Sequence, residues 1–132
     1  MTGFSTRQLP AAPDVLAPDG SEVRVLVSVA AGSMAHFRLQ PGQVSKAVRH
    51  RTVEEVWYVV AGEGHMWRRR EDGIEEITVL TVGTALTIPV GTSFQFRAGP
   101  DDLLDIVGVT MPPWPGADEA VPVAGAWPQA KP

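Results

Sequence analysis

The 132-residue chain predicts an all-β fold, a sandwich or barrel. Short runs rich in β-branched and aromatic residues recur from Glu22 to Thr110, separated by Gly, Pro and Asp turn signals. Nowhere does an apolar 3.6-residue period persist for three turns, so no amphipathic helix is expected.

The strands follow in order. Residues 1–22 carry Pro10, Pro13 and Pro18 and end near the Asp19-Gly20 turn signal, which reads as an N-terminal arm with an edge strand. Glu22–Val29 alternates and is β-branched, and Met34–Gln40 runs up to Pro41-Gly42. Val44–His50, Glu55–Ala61, His65–Arg70 and Glu75–Val82 come next, with Asp72-Gly73 as a tight-hairpin signal. Ala85–Ile88, Ser93–Arg97 and Leu103–Thr110 complete a barrel over residues 23–110. The tail, residues 111–132, holds six of the twelve prolines and two of the four tryptophans. Proline lacks the amide donor a central strand needs, while Trp114 and Trp127 are too apolar for a freely solvated tail. An extended strap is expected, docking on the barrel or on a partner subunit.

Composition narrows the function. Net charge is −4 with both signs interspersed, so no long basic face points to nucleic acid. Arg68-Arg69-Arg70 is followed at once by Glu71 and Asp72 and reads as a solvated hairpin end. No cysteine is present, which removes disulfides, thiolate ligands and a cysteine nucleophile. No apolar run reaches the ~20 residues of a membrane span, and the N-terminus lacks the basic start and apolar run of a signal peptide. A soluble cytoplasmic protein without membrane or nucleic-acid partners is the expectation.

Two stretches carry the chemistry, Gly42–Gly62 and Gly83–Ala98. The first brings His50 and Glu55 into an otherwise apolar strand pattern, where an unpaired charge is costly. Together the stretches suggest one cavity with a polar floor. By strand parity Trp57 shares the inward face of Glu55, and Lys46 and Val48 share that of His50. Tyr58 is expected on the opposite face. His36 alternates against Phe37 and Leu39 and is expected on the solvent side. Arg49 and Arg51, of opposite parity to His50, read as solvated or as partners of Glu54. His65 reads as an exposed hairpin residue or one that reaches the cavity mouth.

These stretches resemble the paired motifs of the cupin superfamily. Gly42, His50, Glu55 and Gly62 fit the first motif in register, and Gly83, Pro89 and Gly91 fit the second. The phrases HRTVEEVWYVVAGEGHMW and VTMPPWPG look like those of small bacterial single-domain cupins. The resemblance implies a double-stranded β-helix, or jelly-roll barrel, often homodimeric, with a site for a small organic ligand inside. In metal-binding cupins two first-motif histidines, the glutamate and a second-motif histidine hold Fe, Mn, Zn or Ni. Here Val48 and Phe94 stand at two of the histidine positions, and Ala98 stands where an asparagine would be.

Only His50 and Glu55 remain of the metal set, fewer than the three protein ligands typical of a catalytic site. Glu54, Gln95 and His65 are the remaining donors, although parity turns Gln95 away from the interior if Phe94 points in. The expected cofactor is none, or a weakly held divalent metal. His50 and Glu55 can be an acid–base pair, a structural hydrogen-bonded pair or part of a rebuilt metal site. Trp57, Phe94, Val48 and Lys46 are the candidate pocket residues, with Lys46 favouring an anionic ligand at the rim. Trp57 and Phe94 serve equally as core. The functions in view are a metal-independent isomerase, cyclase or dehydratase, a metal-dependent dioxygenase or isomerase, and a non-catalytic ligand-sensing or assembly module.

Overall fold

The computed structural model describes residues 3–16 and 21–128. Among these residues are eleven strands: β1 (Val15–Leu16), β2 (Glu22–Val29), β3 (Gly32–Leu39), β4 (Val48–His50), β5 (Glu54–Ala61), β6 (Gly64–Arg69), β7 (Glu75–Leu80), β8 (Ala85–Ile88), β9 (Ser93–Ala98), β10 (Leu104–Met111) and β11 (Ala120–Pro122). They form two antiparallel sheets, ordered β1-β2-β3-β10-β5-β8 and β11-β4-β9-β6-β7. The only helical turn among the described residues is a 3₁₀ turn at Ala117–Glu119, and no helix is long and apolar enough to cross a membrane. The Asp19-Gly20 turn signal lies outside the described residues.

Alternation builds the core. Along β5, Glu54, Val56, Tyr58 and Val60 are exposed while Glu55, Trp57 and Val59 are buried. The inward residues of both sheets meet as one cluster that includes Leu39, Trp57, Val59, Met66, Leu80, Phe94, Phe96 and Ile106. The hydrophobic effect over this interface is the main force closing the two layers.

One expected strand is shorter than its sequence pattern. Val44–His50 enters the ladder only at Val48, apart from an isolated bridge between Val44 and Arg97. The Ser45 hydroxyl accepts from the Phe96 N–H at 3.0 Å, taking a position that a backbone carbonyl would fill in a regular ladder. Ala47 is buried against the tail, its Cβ close to Gly125, while Lys46, of the same parity as Val48 and His50, is exposed and does not reach the buried pair.

The tail finishes the second sheet. β11 adds to the edge of β4, pairing Ala120 with His50 and Pro122 with Val48. An edge position tolerates the missing proline donor. Glu119, buried, accepts from Thr52 N at 2.6 Å, Val53 N at 2.8 Å and the Thr52 hydroxyl at 2.6 Å. Farther on, Gln95 and Trp127 exchange two hydrogen bonds, 2.9 and 3.0 Å, and the Arg97 guanidinium lies 4.2 Å over the Trp127 ring. Gln95 does face away from Phe94, but onto the tail and not into solvent.

The N-terminal arm covers the outer face of the first sheet. Arg24, 2% exposed, donates to the carbonyls of Pro10 and Ala11 and pairs with Glu22 at 2.9 Å. His36, the cross-strand partner of Arg24, lies on the outer face as parity requires yet is 3% exposed. Its Nε2 is 3.3 Å from Asp105, which also takes two hydrogen bonds from Arg38. Burial, only partly offset by Asp105, holds the His36 imidazole below its ordinary 6.5; Arg38 and Arg24 push the same way and Glu22 opposes.

A neutral buried histidine makes stability pH-dependent. Because its pKa is depressed in the folded state, the unfolded chain binds the proton more tightly below about pH 6.5. Stability is therefore full above that value and falls as pH drops below it toward the folded pKa, by up to about 1.4 kcal/mol per pH unit. Urea unfolding followed at about pH 7.5 and 5.5 checks this. His36→Gln should flatten the difference; an unchanged slope in that variant would exclude His36 as its source.

Candidate functional site at the barrel mouth

Each inward side chain of the site follows from strand geometry. β4 brings His50 inward at its C-terminal end, and a three-residue link returns the chain as β5, which points Glu55 and Trp57 to the same interior. All three are at most 4% exposed. His50 Nδ1 lies 2.9 Å from Glu55 Oε2, and Trp57 Nε1 donates to Glu55 Oε1 at 2.9 Å. One carboxylate oxygen thus accepts a hydrogen bond and the other lies against the imidazole. The imidazole contact is close in distance but misaligned, since Nδ1 makes no well-directed hydrogen bond. Part of the His50 hydrogen-bonding capacity therefore stays unused.

The surroundings are aromatic. The His50 ring meets Phe94 edge-on at 5.1 Å and Trp114 at 5.0 Å. Trp57 stacks on Phe37 at 5.0 Å and meets Phe94 at 5.7 Å and Phe96 at 5.0 Å. Gly108 on β10 makes room for this, because a Cβ there would stand 2.9 Å from the rings of both Phe37 and Trp57. The space expected to be a cavity is therefore packed with rings around the polar pair. Trp114 is 43% exposed and lies over His50, held through its backbone N–H to the Ser33 hydroxyl at 3.1 Å.

The structure brings together His50, Glu55, Trp57 and Phe94, with Val48, partly buried, directly paired to Phe94. It leaves Lys46 exposed, Tyr58 on the outer face, and His65 with its ring 6.5 Å from that of Trp127. Sequence reasoning missed the Trp114–His50 contact, because no local pattern relates a tail residue to a strand 64 positions away.

The donor set does not fit the metal ion that many cupins hold. Val48 and Phe94, the cross-strand pair at the two histidine positions, are both hydrocarbon. Glu54 is exposed, Gln95 is bonded to the tail, and His65 is beside Trp127. Among the described residues, no group of three or more His, Cys, Asp and Glu is placed to hold a metal ion.

Comparison with known proteins agrees with the fold. The cupin domain family model matches residues 35–107, more than half of the chain, and the chain belongs to the cupin superfamily. No curated protein matches it in sequence. Among solved structures it is similar to BH2720 from Bacillus halodurans, at TM-score 0.65 and 19% identity over 76% of each chain. It is similar to a recombinant oxalate oxidase in complex with glycolate, at 0.70 and 20%, covering 83% of this chain and 61% of that one. The Drosophila melanogaster CENP-C cupin domain is similar at 0.63 and 19%, over 70% of this chain and 66% of that one. At these identities the likeness is one of fold, and enzymes and non-enzymes share folds freely.

Proposed function

We propose that this cupin binds a small organic ligand at the barrel mouth and acts on it without a metal ion. The supporting observation is the buried Glu55 carboxylate 2.9 Å from His50, with Trp57 bonded to the carboxylate and Phe94 and Trp114 against the imidazole. A buried polar pair stabilises a fold no better than well-packed hydrocarbon does, so its presence among these rings favours a chemical role over a structural one. An imidazole beside a carboxylate can take a proton from one atom of a ligand and return it to another. Isomerisation, cyclisation and dehydration each need that transfer. Phe94, Val48 and Trp57 would hold the apolar part of the ligand, and Trp114 would move aside to admit it.

A thermal-shift panel of small ring-bearing and carboxylate compounds tests this. A compound that raises the melting temperature of the wild type should raise that of His50→Ala and Glu55→Gln far less. Protein purified without chelator or histidine tag should carry well under one equivalent of any transition metal. A near-stoichiometric ion lost in His50→Ala would overturn the metal-free reading. A second reading, a non-catalytic sensing or assembly module, is favoured by the ring contacts that fill the barrel. It requires an association between copies of the chain that one of these compounds changes; an unliganded monomer whose association ignores every compound would exclude it.

A further inference from the structure

The outer face of the five-stranded sheet carries a row of side chains that the interior site does not use. Arg49 pairs directly with Ser93, and Ser93 pairs with Arg69. Residues opposite one another in antiparallel strands project to the same face. That face is the outer one, because the adjacent pair Val48 and Phe94 packs into the core. The row therefore stands side by side across β4, β9 and β6. With Arg70, Glu71 and the turn at Gly91 it lines an open cleft of about 300 Å³.

The cleft is cationic. Its lining has three arginines and one carboxylate. Arg69 and Arg70 have carboxylate neighbours on their own hairpin, Glu75 at 3.8 Å and Asp72 at 2.5 Å. Both pairs are exposed, and exposed pairs hold their partners weakly. Arg49 is half-buried on a rigid strand and has no carboxylate within ion-pair distance among the described residues. The Glu54 partner that parity allowed does not reach it. A fixed, uncompensated guanidinium facing a second across a serine hydroxyl is a receptor for an oxyanion.

We propose that this cleft binds the phosphate group of a phosphomonoester. Arg49 and Arg69 flank the phosphate, and the Ser93 hydroxyl donates from between them. Three donor groups in a row match three terminal oxygens, one more than a carboxylate presents. The cleft is larger than a phosphate, which leaves room for the organic part of the ester.

Titration with inorganic phosphate at constant ionic strength, followed by amide NMR, tests the site. Saturable shifts are expected at Arg49, Arg69, Gly91 and Ser93. Arg49→Gln should weaken the phosphate affinity about tenfold while its other amides keep wild-type positions, and Ser93→Ala should weaken it less. Cosedimentation with phosphatidic acid vesicles, against phosphatidylcholine vesicles, separates the two sources of this group. Binding to free phosphate alone identifies a soluble ester, and Arg49-dependent binding to phosphatidic acid identifies a lipid one. Shifts that never saturate, equal affinity in Arg49→Gln, or binding of an oligonucleotide but of neither phosphate source would overturn the proposal.

Discussion

Gly62→Ala should lower the stability of the barrel by more than about 4 kcal/mol and leave little folded protein. Gly62 ends β5 at φ +81°, where an L side chain already costs about 1–2 kcal/mol. Most of the loss is steric. A Cβ at Gly62 would lie 1.9 Å from the Leu103 carbonyl oxygen and 3.0 Å from the Leu104 Cα, both backbone atoms. Leu104 begins β10, the strand between β3 and β5, so the clash cannot be relieved by a rotamer change. Moving β10 would disturb Ile106 and the whole inward row paired with β5. Gly73→Ala is the matched control. Its φ is +91°, but a Cβ there meets nothing within 4 Å, so only the backbone strain of about 1–2 kcal/mol applies. Urea unfolding of the two variants side by side measures the difference. Equal losses would mean that the approach to Leu103 is not rigid.

The same glycine shows what the sequence made readable. Turn glycines, β-branched runs and the spacing of His50, Glu55, Pro89 and Gly91 lie along short stretches, and they point to a cupin barrel. Period-two alternation also places Glu55, Trp57 and Phe94 inward and Tyr58 outward. What it cannot supply is contact between distant segments. His36 follows parity onto the outer face, yet it is buried there, paired across the sheet with Arg24, which the arm holds at Pro10 and Ala11. Gln95 reads as an outward strand residue, yet it is buried, with its amide bonded to Ser45 and to the tail at Trp127. Lys46 keeps the parity of His50 yet is exposed, because it precedes the ladder, which begins at Val48.

The tail is the other place where one residue decides much. Glu119→Ala should cost about 3 kcal/mol, because the carboxylate accepts three hydrogen bonds from Thr52 and Val53. Its loss would strand the Val53 N–H beside a side chain that is fully buried. It would also free the segment that pairs with His50 through Ala120, loosening the strand that carries the site. Limited proteolysis should then cut the tail of the variant well before that of the wild type, and a loss under about 0.5 kcal/mol would show that β11 docks without this contact. The charge can be tested apart from the shape. Burial raises the Glu119 pKa, but the Thr52 hydroxyl, the Thr52 and Val53 amides and the His50 charge outweigh it and hold the carboxyl below 4.5. A carboxyl depressed in the folded state stabilises above its unfolded value, and this is lost as pH falls below 4.5 toward the folded pKa. Glu119→Gln keeps the shape and one acceptor oxygen but cannot titrate. Its stability should lie between those of the wild type and Glu119→Ala near neutral pH, and the gap to the wild type should close as the pH falls through that window. A gap that stays constant would place the stabilisation in the shape of the side chain and not in its charge.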